Sequence, residues 1–158
     1  MMQSLSLDLA DLAQTQALAK ALGPHLQAGD CVLLEGELGA GKSTFARALI
    51  QSLAGAEIEV PSPTYTLVQS YLLPQLAVHH FDLYRLSEPD EVYELGWEDI
   101  LTSGACLIEW PSRLGLLTPP GAWQLTLEHD PANLERRKAS LRLPKSVAQS
   151  LILDPSTV

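Results

Sequence analysis

Apolar and polar residues alternate over positions 4–9, the two-residue period of a half-buried strand. The period then lengthens. Leu9, Leu12, Ala13, Leu18, Ala19 and Leu22 recur at helical spacing, with Asp8 or Asp11 placed to cap the helix and Gly23-Pro24 to close it. A continuous apolar run at 31–34 follows the turn Gly29-Asp30 and reads as a buried strand. Residues 43–53 return to helical spacing, with Gly55 as the stop. Residues 57–60 read as a short strand. Runs at 67–71 and 77–82 read as a pair turning at Leu73-Pro74-Gln75. From Ser87 a helix starts, with Pro89 in its first turn, and Gly96 divides it into two short pieces. Residues 104–111 hold the second clear buried strand, and 112–120 a loop carrying Arg113. Residues 123–128 and 137–143 alternate and predict a final antiparallel pair joined by a loop at 129–136. Residues 147–153 read as a last short helix in a loosely held tail covering about 145–158. Strands alternating with helices place the chain in the α/β class.

Between the buried strand at 31–34 and the helix at 43–53, Gly36 to Ser43 spells G-x-x-x-x-G-K-S. Strand, glycine loop and helix form the arrangement that wraps a phosphate. The glycines let the backbone approach an anion, and the loop amides Glu37, Leu38, Gly39, Ala40, Gly41, Lys42, Ser43 and Thr44 then face its oxygens. Lys42 reaches the β- and γ-phosphates and the Ser43 hydroxyl ligates Mg²⁺ in such a loop.

Two later strands each end in an acid, Asp82 and Glu109. In open α/β sheets ligands bind outside the carboxyl ends of the strands, where the glycine loop also lies if these strands run parallel to it. Either acid can hold the metal while the other orients or deprotonates an attacking water. The segment Pro61-Ser62-Pro63-Thr64-Tyr65-Thr66 is stiffened by two prolines and carries three hydroxyls. Its residues read as a loop with local hydroxyl caps, and beside a phosphate loop the same segment can serve as a switch. His79 and His80 are neighbours on a strand, point to opposite faces and read as one core and one surface residue.

The chain has 158 residues, enough for one domain with a core of its own, and the whole of 1–158 reads as that domain. Its net charge of −9 argues against a broad nucleic-acid-binding face. The basic residues that cluster are Arg136, Arg137 and Lys138, and the stretch 88–99 is strongly acidic, either a solvated face or a docking surface for a basic partner. Cys31 and Cys106 lie in apolar runs without metal-ligand spacing and read as buried free thiols, which suits a reducing cytoplasm. No run has the length of a membrane span, and the first residues lack the basic-then-apolar pattern of a secretory signal.

Four motifs, in this order and spacing, resemble those of the TsaE (YjeE) family: GELGAGKST (36–44), SPTYTLV (62–68), HFDLYRL (80–86) and IEWP (108–111). The resemblance covers about residues 5–143. It implies a P-loop NTPase-type three-layer fold with a mixed, largely parallel central sheet that binds ATP and Mg²⁺. It implies a slow ATPase of the cytoplasm, productive with the partner proteins TsaD and TsaB. Their pathway places a threonylcarbamoyl group on adenosine 37 of tRNAs reading ANN codons, and tRNA is met only through the complex. By position, the resemblance implies a catalytic part for Lys42 on the phosphates, Thr64 in the switch and Asp82 near the attacking water. The resemblance also implies that Ser43 and Glu109 ligate Mg²⁺, that Thr15 lies near the base and Trp110 near the site, and that a C-terminal basic residue, Arg136 or Arg137, approaches nucleotide, with Arg136 taken as the candidate. The family commonly carries an acid or amide where this chain has Ser112. A P-loop small-molecule kinase is the alternative enzyme class, and it calls for an arginine-bearing lid that this chain, with six arginines and no arginine-rich segment, does not show. A nucleotide-dependent interaction module with incidental hydrolysis is the other alternative.

Overall fold

The computed structural model describes residues 1–153. Seven strands form one sheet: β1 (Met2–Leu9), β2 (Cys31–Glu35), β3 (Val68–Leu72), β4 (Ala77–Asp82), β5 (Ala105–Glu109), β6 (Trp123–Asp130) and β7 (Asn133–Pro144). Their order across the sheet is β1-β7-β6-β2-β5-β4-β3. The central pairings β6·β2, β2·β5 and β5·β4 are parallel, and the outer ones are antiparallel, so five strands run one way and β3 and β7 run against them. The helices are α1 (Leu12–Leu22), α2 (Lys42–Ala54), α3 (Trp97–Ser103) and α4 (Lys145–Leu153), joined by 3₁₀ turns at Gly23–His25, Pro89–Leu95 and Pro111–Leu117.

The strand period sorts β2 between two cores. Val32 and Leu34 face α1, α2 and α4, packing with Leu18, Phe45, Leu49 and Ala148. Cys31 and Leu33 face the opposite layer, with Phe81, Val92, Trp97, Ile108 and Leu114. A strand buried on both faces carries a continuous apolar run rather than an alternating one, which is why 31–34 and 105–108 look alike in the sequence. Three layers result: helices, sheet, and a second layer of short helices, the P-loop NTPase-type architecture. The two cysteines are free, buried register partners on β2 and β5.

Most predicted elements form. Asp11 caps α1 by accepting from the Gln14 amide at 3.0 Å, and Gly96 in the left-handed region separates the 3₁₀ turn Pro89–Leu95 from α3. Four expectations need correction. Residues 57–60 form no strand: Pro61 and Pro63 offer no N–H to a ladder, and the Ile58 carbonyl accepts instead from Gln51 Nε2 at 3.1 Å. The hairpin β6–β7 extends through most of the expected loop at 129–136, because a ladder needs only backbone groups. Its turn is tied by Asp130 to the Ala132 amide at 2.9 Å and by Asn133 to the Glu135 amide at 3.1 Å. The loop at 112–120 is largely a 3₁₀ turn kinked at Gly115. The last helix starts at Lys145, with Val147, Ala148 and Leu151 buried in the core, and residues past 153 lie outside the described residues.

Both histidines of β4 are buried, which corrects the expectation of one on the surface. His79 lies in hydrogen-bond contact with Ser70 at 2.7 Å and Ser103 at 3.4 Å, on the face opposite His80. Burial pushes the His79 imidazole below the usual histidine range. The unfolded chain therefore takes up the proton first as pH falls below about 6.5, and folded stability declines from there down to the depressed folded pKa. Replacing His79 with Gln is expected to flatten this part of the stability–pH curve, measured by urea denaturation at a series of pH values. In the same assay, Leu49→Ala, at a fully buried position facing the sheet, is expected to cost about 2–5 kcal/mol.

Candidate functional site

The site is built at the carboxyl ends of β2, β4 and β5. β2 ends at Glu35, and the chain must turn at once to begin α2. Gly36 makes the turn at φ +147°, where a Cβ would stand 2.5 Å from the Leu127 carbonyl oxygen, so no side chain fits. Gly41, at φ +108°, caps α2 without any side-chain hydrogen bond, which leaves the first amides of the helix open to an anion. Lys42 turns back over this loop. Its ammonium donates to the Gly36 carbonyl and, at 3.1 Å, to the Glu37 carbonyl, and stands 4.3 Å from the centre of the Trp110 ring. Burial pushes Lys42 below the usual lysine range, and the carboxylates of Glu109 and Asp82 push it back up.

The two acids arrive side by side. In the parallel β4–β5 ladder Asp82 is the register partner of Glu109, and Leu34 is Glu109's partner on the other side. Both are almost wholly buried, 6% and 2% exposed, so each must be held by donors. Glu109 accepts from Ser43 Oγ at 3.1 Å through Oε1 and meets His80 Nε2 at 2.6 Å through Oε2. Asp82 accepts from Thr64 Oγ1 at 3.1 Å and from the Tyr84 amide at 3.1 Å. Ser62 Oγ lies 2.7 Å from Thr64 Oγ1. The segment is fixed at its far end too: Leu67, at φ +67°, donates to the Pro63 carbonyl at 2.7 Å and accepts from the Asp82 amide at 3.0 Å.

Lys42, Ser43, Thr64, Asp82, Glu109 and Trp110 line a cavity of about 730 Å³. Of the other expected site residues, Leu38, Gly39, Gly41 and Thr44 reach it from the glycine loop and the start of α2, and Thr15 from α1. Glu37 and Ala40 stand behind the loop, where their carbonyls accept from Lys42 and from Arg137. Arg136 is the correction. It is exposed and does not line the cavity; its neighbour Arg137 does, with Nε donating to the Ala40 carbonyl at 2.9 Å and a terminal nitrogen to Gly39 at 3.4 Å. Adjacent strand residues face opposite ways, so a one-residue choice decides which arginine meets the loop.

The sequence reading also missed one wall. Leu12 and Ala13 were assigned to the buried stripe of α1, yet both are exposed and line the cavity, with Leu134 from the hairpin also present. Thr15, on the helix side that reads as polar, is buried. An apolar wall beside a phosphate loop suits a flat base, and the apolar residues of α1 beyond its core stripe were the available signal. His80 was missed as a neighbour of Glu109, although strand alternation puts one of the two histidines on that acid's face.

Would a nucleotide and Mg²⁺ fit? Among the described residues no group of three or more His, Cys, Asp or Glu gathers as a complete metal cage. A hydroxyl and one carboxylate 3.1 Å apart, with no thiolate in the cavity lining, offer a hard cation the partial oxygen set that Mg²⁺ takes when phosphates complete its shell. The open amides of α2 and the narrow cradle at Gly36 suit a phosphate chain.

Fold and site together define a domain of the P-loop NTPase type. Over 96% of this chain and 94% of the other, it superposes on the crystal structure of YdiB from Bacillus subtilis with a TM-score of 0.74 and 25% identity. The chain belongs to the TsaE family: the family model "Threonylcarbamoyl adenosine biosynthesis protein TsaE" matches residues 9–139. It is 45% identical over 108 residues to the tRNA threonylcarbamoyladenosine biosynthesis protein TsaE of Rickettsia felis, a match spanning 68% of this chain and 63% of that protein. It is 34% identical over 116 residues to the Bacillus subtilis protein of the same name, covering 73% and 72%. The chain thus spans less than two thirds of the Rickettsia felis relative.

Because Arg137 ties the hairpin to the loop and Arg136 does not, the two substitutions separate. Arg137→Ala is expected to loosen the glycine loop and weaken binding of a fluorescent adenine nucleotide about fivefold, the worth of one ordinary hydrogen bond. Arg136→Ala is expected to leave the titration unchanged.

Proposed function

We propose that this protein is a Mg²⁺-dependent ATPase of tRNA modification, required to form the threonylcarbamoyl group on adenosine 37 of tRNAs reading ANN codons. It acts with TsaD and TsaB to activate or reset their complex, and meets tRNA only through that complex, in the cytoplasm. The observation that carries the reading is the convergence of Lys42, Ser43, Glu109 and the Thr64–Asp82 pair on one cavity at the strand ends.

In this reading the α2 amides and Lys42 hold the phosphate chain, and the wall at Leu12 and Ala13 takes the base. Ser43 and Glu109 hold Mg²⁺, which when bound neutralises phosphate charge and polarises the transferred phosphoryl group. Asp82 orients the attacking water and accepts its proton. Both Asp82 oxygens are engaged by Thr64 and by the Tyr84 amide. Each oxygen keeps a further lone pair for the water, so these two bonds fix the orientation of the carboxylate without blocking it.

The test is phosphate release with Mg²⁺, for the protein alone and then with TsaD, TsaB and tRNA, followed together with modified tRNA. Stimulated hydrolysis with multiple-turnover modification is expected. Modification indifferent to this protein would overturn the pathway assignment. Lys42→Ala is expected to abolish turnover. Glu109→Ala is expected to lower Mg²⁺-dependent turnover by at least about tenfold while sparing metal-free nucleotide binding; unchanged turnover would remove Glu109 as the ligand.

A further inference from the structure

Glu109 is held in part by a side chain that stands outside the cavity lining, His80. A glutamate ends in a broad, roughly two-fold torsion, so its carboxylate keeps one orientation only if donors hold it. Glu109 has two such donors: Ser43, whose hydroxyl lies 3.1 Å from Oε1 and 3.4 Å from Oε2, and His80, which meets Oε2. Ser43 is the group a cation would also engage, so its hydroxyl is contested as soon as the metal arrives. His80 is not contested. It projects from β4 on the same face as Asp82, its register partner is Leu107 rather than a site residue, and it is 1% exposed. Its Nε2 lies 2.6 Å from Oε2, close hydrogen-bond contact.

The other ring nitrogen explains the direction of the bond. Nδ1 of His80 is buried and, among the described residues, has no hydrogen-bond partner. An ionised carboxylate only accepts, so the ring must present N–H at Nε2. The opposite tautomer would aim a lone pair at Glu109 and bury an unpaired N–H at Nδ1.

Resting on the reading of Ser43 and Glu109 as the Mg²⁺ holders, we propose that His80 is a positioning residue: as the Nε2–H tautomer it pins Oε2 of Glu109 and keeps Oε1 turned toward Ser43, setting how strongly the site couples Mg²⁺ to nucleotide. His80 touches neither nucleotide nor water in this role. It acts through Glu109 alone, as the outer hydrogen-bonding groups of metal ligands do.

Two measurements test it. The first is nucleotide affinity by calorimetry, with and without Mg²⁺, read as the gain in affinity that Mg²⁺ brings. His80→Leu is expected to cut that gain about 10- to 100-fold, leaving metal-free affinity within about twofold of wild type. His80→Gln, whose amide can donate near the Nε2 position, is expected to recover most of the gain. An unchanged gain in His80→Leu, or an equal fall with and without Mg²⁺, would overturn the proposal. A wild-type protein whose affinity gains nothing from Mg²⁺ would overturn the functional reading as well, so the two failures are distinct. The second measurement needs neither variant nor metal: long-range proton–nitrogen correlation on the ¹⁵N-histidine-labelled wild type. The Nε2–H tautomer is expected for His80, and Nδ1–H would overturn the proposal.

Discussion

The parallel ladder that joins β4 to β5 and β5 to β2 sets three strand ends level, and the site depends on that alignment. Asp82 stands opposite Glu109, and Glu109 beside Leu34, one residue before the chain leaves β2 for the glycine loop. A slip of one residue in either pairing would turn an acid to the opposite face of the sheet. Register is secured by burial on both sides: Val32, Leu34 and Leu107 belong to one core, and Leu33, Phe81 and Ile108 to the other. A slipped strand would exchange these sets against two differently shaped walls. The core is therefore also the jig that spaces the carboxylates.

Charge is handled in the same place. Two carboxylates and one ammonium lie almost wholly buried around the cavity. Each carboxylate is held by two donors, and Lys42 by two carbonyls and the face of Trp110. Leaving any one of them buried and unpaired is costly, which is why hydroxyls and an imidazole gather beside them. The −9 net charge of the chain lies largely elsewhere, including exposed acids of the 88–99 stretch such as Glu88, Asp90, Glu94 and Asp99.

How much of this was legible in the sequence follows from how local each signal is. The glycine loop was readable because Gly36, Gly41, Lys42 and Ser43 act through their own backbone and their immediate neighbours. Asp82 and Glu109 were readable as strand-end acids, and the short helices around Gly96 as a turn residue between apolar positions. What failed depends on distant partners. Residues 57–60 have strand-like composition but no strand to pair with. Arg136 and Arg137 differ only in parity, and the register shift between His129 and Asp130 sits between the readable start of β6 and the tip. Leu12 and Ala13 continue the helical stripe of α1 but stand exposed at its first turn, so the same apolar spacing that means core at Leu18 means cavity wall here.

Backbone strain gathers beside the acids rather than in the bulk of the fold. Among the described residues, Leu67 and Trp110 are the non-glycine positions at positive φ. Trp110 directly follows Glu109 and precedes Pro111, which disfavours the helical region before it. Leu67 closes the turn that carries Thr64. Such residues cost on the order of 1–3 kcal/mol each and persist only where surroundings over-determine them. Here the surroundings are the rigid β4–β5 edge on one side and a hydrogen bond or ring stack on the other. Relaxing Leu67 would draw Thr64 away from Asp82, and relaxing Trp110 would lift its ring from Lys42 and from Tyr84, 4.9 Å away. The strained joints thus sit at the two segments that bring Thr64 to Asp82 and the Trp110 ring to Lys42, while the glycine loop adopts its own turns without strain.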